Sequence, residues 1–178
     1  MSSVKKWKPR RKMLKKAVIR TSFFALGRAF EAAAYLDADV KDEIRDWKEP
    51  TTILFQVLPH GPSMVLEKVG GRVRYGGQEP VPADLTIFFK NVESAFLVMS
   101  GQMGTPQGYA EHRMALKGDT SQAMPLIRCL NQVQAYLFPR VMAKRVMKRV
   151  PRMNIRKTAI RVVVLAVGVP VGLSNVAS

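Results

Sequence analysis

Few side chains in this sequence could do chemistry, because it holds two histidines and one cysteine in 178 residues. His60 sits in Pro59-His60-Gly61-Pro62, a composition that predicts a turn, and His112 opens a predicted strand beside Glu111 and Arg113. No two of these residues have metal-ligand spacing, and no Cys-x-x-Cys occurs. Cys129 lies among Leu126, Ile127 and Leu130, where a free thiol reads as a small core residue rather than a nucleophile. Being alone, it cannot form an intramolecular disulfide. Asp119 could be taken for a general base, but its place just before Thr120 suits an N-cap better, since first-turn amides need an acceptor. The bends at Gly70-Gly71, Gly76-Gly77 and 101–108 lack the G-x-x-x-x-G-K-[ST] pattern, so they read as turns rather than phosphate cradles. No catalytic residue, metal site or cofactor is assigned.

Apolar material is more abundant. The ten methionines include Met99, Met103, Met114 and Met124, whose flexible thioethers fill either an ordinary core or an adaptable apolar cavity. Elements must position them. Ile19, Phe23, Leu26, Phe30 and Ala33 follow at steps of 4, 3, 4 and 3, one face of an amphipathic helix, and a short second helix is predicted over 40–47. From Thr51 the period changes. Residues 52–58 are β-branched and apolar, 64–68 and 72–75 form a hairpin about Gly70-Gly71, and 84–90 and 112–117 complete five strands. A helix is predicted over 92–103, then a loop Gly104-Thr105-Pro106-Gln107-Gly108. Asp119 and Gln122 have capping-box spacing ahead of a long helix carrying Met124, Ile127, Leu130, Val133 and Leu137, which Pro139 breaks or kinks. The fold class expected is α+β, a five-stranded, mainly antiparallel sheet covered by helices, with helical extensions at both ends.

The order Asp84-Leu85-Thr86-Ile87, a helix bearing Phe96 and Leu97 and reaching Gly101, Met114-Ala115-Leu116-Lys117, Gly118-Asp119 and a helix with Leu126, Ile127 and Leu130 resembles the sterol carrier protein type 2 family of lipid-binding domains. The resemblance covers half to two thirds of the chain. It implies a sheet and helices enclosing an apolar cavity for a sterol, acyl lipid, phospholipid or quinone intermediate, without chemistry. Some bacterial members, the accessory factors of ubiquinone biosynthesis, present such molecules to enzymes. Carried onto this sequence, the cavity lining would be Phe88, Phe96, Met99, Met103, Tyr109, Met114, Met124, Ile127 and Leu130. The basic N-terminal helix and residues 139–178 depart from the compact family domain.

Charge explains those departures. The formal net charge is +16, divided as +9 over 1–20, −3 over 21–119 and +10 over 120–178. A near-neutral body with two cationic ends predicts a module fastened to a polyanionic surface. We divide the chain into a basic segment 1–20, a lipid-binding domain 21–138, and a basic amphipathic helix with an apolar tail over 139–178. In that helix Phe138, Met142, Val146 and Val150 form one stripe, and Arg140, Lys144, Lys148 and Arg152 another. With Lys5, Lys6, Trp7, Lys8, Arg10, Arg11 and Lys12, these would hold an anionic membrane at ~1 kcal/mol per basic residue. The uncharged run 162–173 has 12 residues, about 18 Å as a helix, too short to cross a ~30 Å hydrocarbon core. It would insert shallowly or cover the cavity mouth.

No uncharged h-region follows the basic start, so no secretory signal is read, and a cytoplasmic, peripheral-membrane location is expected. The function expected is non-catalytic binding and presentation of a hydrophobic lipid at an anionic membrane, with a lipid- or quinone-processing enzyme as a further partner. Nucleic-acid binding is the rival, but the basic ends interleave only Trp7, Tyr136 and Phe138 as stacking aromatics, so lipid is favoured over RNA or DNA. An enzyme acting on a lipid is the other alternative.

Overall fold

The computed structural model describes residues 9–137 and 155–170. Helix α1 (Pro9–Leu36) buries Ile19, Phe23, Leu26, Phe30 and Ala33, the stripe its 3–4 spacing demands. It runs unbroken through residue 20. Helix α2 (Ala38–Arg45) follows after one residue, Asp37, whose side chain caps it by accepting from the Asp39 N–H at 3.0 Å.

Strands β1 (Thr51–Val57), β2 (Ser63–Val69), β3 (Arg72–Gly77), β4 (Leu85–Phe89) and β5 (Met114–Gly118) form one sheet in the order β3-β2-β1-β4-β5. Every neighbouring pair is antiparallel except β1 with β4, so the sheet is mainly antiparallel, as expected. Period-2 alternation sends Ile53, Phe55, Val57, Met64, Leu66, Leu85, Ile87 and Phe89 to one buried face. Helix α1 lies on that face, and Phe23 meets the rings of Phe55 and Phe89 at 6.4 and 6.0 Å. Helix α5 (Ala123–Leu137) packs on α1 and α2, and α3 (Val92–Met99) packs on α1.

Lys68 shares the helix-facing side of β2 and is 4% exposed. A charge so placed needs partners. Its Nζ donates to the Arg45 carbonyl at 3.0 Å and the Trp47 carbonyl at 2.6 Å, with Glu49 at 4.0 Å. It thereby serves the carbonyls at the end of α2.

Three local expectations need correction. Helix α3 ends at Met99, not Met103, because Gly101 adopts φ 70° and closes a Schellman cap: Gln102 N–H donates to Leu97 O at 2.9 Å and Gly101 N–H to Val98 O at 3.1 Å. The stretch read as a loop is helix α4 (Thr105–Ala110), since Pro106 fits a first turn whose amides bond nothing within the helix. His112 has φ 53° and precedes β5 instead of opening it.

Asp119 is an N-cap as expected, accepting from the Ser121 N–H at 3.1 Å, but it starts a 3-10 turn, Thr120–Gln122, that leads into α5. The reciprocal half of the capping box is missing. The Asp119 N–H is already donated to Asp84 O at 2.8 Å, so Gln122 has no donor there to serve.

Helix α6 (Ile155–Val163) and a π turn, Val164–Gly168, pack back on the domain. Val164 is fully buried, and Gly168 lies so close to α1 that a Cβ there would stand 2.6 Å from Ala32 Cβ. Lys157 Nζ reaches Asp39 at 2.6 Å. The described part of 162–173 therefore docks on α1, while Val162 and Leu165 remain exposed. No helix among the described residues is long and apolar enough to cross a membrane.

Candidate functional site

Three helices leave a gap where they converge. Ser22, Ala25 and Leu26 of α1, Val98 and Met99 of α3, and Gln134 and Leu137 of α5 line a partly open pocket of about 210 Å³. Steps of 3 and 4 put Ser22, Ala25 and Leu26 on one side of α1, and Gln134 and Leu137 one turn apart on α5. The small side chains of Ser22 and Ala25 keep the helices from filling the space. Helix α3 is fixed at both ends, by Asn91, which accepts from the Ser94 N–H at 2.8 Å, and by the glycine cap after Met99. Lys15 ties α3 to α1, reaching Glu93 at 2.5 Å and lying 5.3 Å from the Phe96 ring centroid.

The pocket lining carries no charge. Its polar members are Ser22 and Gln134, and Gln134 is 4% exposed, with an Oε1 that has no hydrogen-bond partner. Leaving such an acceptor dry costs about 1–3 kcal/mol.

Of the nine residues carried over from the family resemblance, Met99 lines this pocket. Met103 and Met114 are buried beside it in a thioether cluster: a Cβ at Gly108 would stand 3.2 Å from Met114 Sδ, 3.3 Å from Val98 Cγ2 and 3.7 Å from Met103 Sδ. Leu130 is buried in the core, and Ile127 and Phe96 are half-buried. Half-buried Phe88 alternates with Ile87 and Phe89, so it lies on the sheet face away from α1. Tyr109 and Met124 stand 55% and 61% exposed and form no part of an interior wall.

The sequence reading missed Ser22, Ala25, Val98 and Gln134, and placed Leu26 and Leu137 only as core. The available signal was Gln134 itself, a polar residue four after Leu130 and three before Leu137, hence on their side of the helix.

The proposed cationic anchors fall differently. Lys5, Lys6, Trp7, Lys8, Arg140, Lys144, Lys148 and Arg152 lie outside the described residues, and the side chains of Arg10 and Arg11 are not described. Lys12 is exposed. A second recess of about 560 Å³ gathers Lys41, Arg45, Lys68 and Arg72 against Glu49, beneath Tyr35. Its deepest cation, Lys68, is spent on backbone carbonyls.

Reactive groups are positioned for structure. Burial pushes the Cys129 thiol up to about 12. Asp119 is held down at about 2 by hydrogen bonds from Lys48 and then Ser121, which makes it an ion-paired cap and a poor proton acceptor. Burial raises Tyr136, and its hydroxyl donates to Asp37 beside the start of α2. The His60 carbonyl accepts from Lys16 Nζ at 2.8 Å. Among the described residues, no three His, Cys, Asp or Glu side chains gather where they could hold a metal ion.

No family model matches the chain, and no curated protein matches it. Solved structures do show similarity. A UbiJ-SCP2 ubiquinone synthesis protein is 15% identical, the match covering 69% of this chain and 98% of that one at a TM-score of 0.42. A conserved hypothetical protein of Thermus thermophilus, a candidate sterol carrier protein, is 14% identical over 85% of this chain and 97% of that one, with a TM-score of 0.46. Domain 2 of the sterol carrier protein of Helicoverpa armigera is 18% identical over 73% and 94%, with a TM-score of 0.38. The likeness is one of fold: this chain is similar in path to sterol carrier protein 2-like structures.

Proposed function

We propose that the protein binds a hydrophobic lipid without chemistry and presents or transfers it at an anionic membrane surface. One observation carries the reading, the uncharged pocket held open by Ser22 and Ala25 between α1, α3 and α5. A sealed apolar cavity of ~150 Å³ takes a benzene ring, so this one has room for a single ring or a comparable stretch of chain. Each buried CH₂ contributes about 0.8 kcal/mol, and a pocket with few polar groups supplies little else.

The membrane half of the reading is supported by surface chemistry. The first turns of α1 expose Met13 and Leu14 beside Lys12, and α6 with the π turn that follows it exposes Val162 and Leu165 near Arg161. Apolar side chains among cations suit an interface where the chains insert and the charges meet lipid phosphates. A quinone intermediate is among the guests this reading admits, with a lipid- or quinone-processing enzyme as recipient.

The test is organic extraction and mass spectrometry of gently purified protein, alongside Met99→Glu, and flotation with phosphatidylglycerol or phosphatidylcholine vesicles. Wild type should carry lipid and float with the anionic vesicles at low salt, and Met99→Glu should lose the lipid while staying folded. A wild-type protein that neither carries nor takes up lipid would refute the reading.

A further inference from the structure

We propose that the recess between α2 and the β2–β3 turn binds a phosphate group, held by Lys41 and Arg72 beside the ring of Tyr35. The proposal does not depend on the lipid reading, because no residue lines both this recess and the pocket between α1, α3 and α5. At about 100° per residue, Ala34 and Tyr35 stand on the side of α1 opposite Ser22, Ala25 and Leu26, and at least about 12 Å further along. The two sites therefore lie on different sides of the helix.

Two cations in the recess are left without an acid. The carbonyls that end α2 would repel an anion, but Lys68 covers them, its Nζ donating to Arg45 O at 3.0 Å and Trp47 O at 2.6 Å. Arg45 pairs with Asp42 at 2.5 Å. Glu49, the one acid among the lining residues, accepts the Gly71 N–H at 2.8 Å and lies 4.0 Å from Lys68. Among the described residues, Lys41 and Arg72 have no carboxylate within ion-pair distance. Lys41 Nζ stands 5.5 Å and the Arg72 guanidinium carbon 5.7 Å from the Tyr35 ring centroid. The ring attracts both, and so keeps two like charges within about 11 Å of each other.

An anion between two such cations relieves their repulsion. A phosphate group brings up to two charges and three acceptor oxygens, so one oxygen pair can meet the guanidinium fork while the third meets the ammonium. A carboxylate brings half the charge and has no third oxygen. The volume of about 560 Å³ leaves room for the rest of a diphosphate or phosphate ester.

Equilibrium dialysis of the full-length protein against pyrophosphate, at about 0.15 M salt and pH 7.5, tests this. Wild type should show one saturable site that Lys41→Gln/Arg72→Gln weakens at least about tenfold. Both residues are exposed, so the fold should survive. Lys90→Gln/Lys117→Gln removes the same charge from exposed positions outside the recess and should change affinity less than about twofold. Flotation with phosphatidic acid vesicles separates the two sources of the group. If a lipid head group supplies it, the Lys41/Arg72 variant floats less than the charge-matched control; if a soluble phosphate supplies it, the two float alike. Equal weakening of pyrophosphate binding in both double variants, or binding to wild type that does not saturate, would overturn the proposal and leave the lipid pocket reading intact.

Discussion

Filling the pocket should separate its two consequences, lost binding and gained packing. Ala25 is half-buried on α1 and faces the void, so Ala25→Trp projects an indole into it. An empty sealed void forfeits about 24 cal/mol per Å³, or about 5 kcal/mol for about 210 Å³. The pocket is partly open, so filling it should return about 1–2 kcal/mol of stability rather than the whole. The guest loses more. About five buried methylenes at ~0.8 kcal/mol each correspond to roughly 4 kcal/mol, or about a thousandfold in Kd. Displacement of a pyrene-labelled dodecyl chain reads the affinity, and urea unfolding reads the stability. Affinity within threefold of wild type would show that the guest sits elsewhere. A loss of stability beyond 2 kcal/mol would show that the space was never free, because overpacking costs that much.

Tyr136→Phe should cost about 1–3 kcal/mol in urea unfolding, because the buried Asp37 carboxylate loses a donor and α5 loses its tie to the α1–α2 junction. An unchanged midpoint would refute that role. Cys129 should resist alkylation of the native protein at pH 8, where a thiol held at about 12 is almost wholly protonated, and react only as fast as the domain opens. Because its folded value lies above the ordinary 9, its contribution to stability is complete below pH 9 and is lost as pH rises from there through about 12, a trend that Cys129→Ala should flatten. Gly118→Ala should be among the most damaging single changes, since its φ is 104° and a Cβ would stand 2.0 Å from the Asp84 carbonyl oxygen. Thermal denaturation should show a loss above about 3 kcal/mol, and a loss below 1 would refute the backbone geometry.

The periodic elements were legible in the residues. The 3–4 stripe of α1 and the change of period at Thr51 are set by side-chain spacing, and both appear where expected. The misread stretch was 99–113, where glycine and proline density outweighed the helical compatibility of Thr105-Pro106-Gln107. Turn signals there describe one residue at a time. The cap at Gly101 and the left-handed His112 depend on which carbonyls their neighbours can reach, and spacing does not encode that.

What the sequence alone determined is the class of molecule: strands in mid-chain, helices about them, cationic ends, and little reactive chemistry. What only the tertiary structure decided is which residues share a wall. Met99 meets Ser22, Ala25 and Gln134 across three helices, while Tyr109 and Met124, equally good candidates by type, turn outward. The reason is geometric. Helical and strand periods fix the direction of a side chain about its own axis, but a pocket is set by the relative placement of several axes, which follows from long-range packing of α1 against the sheet and α5.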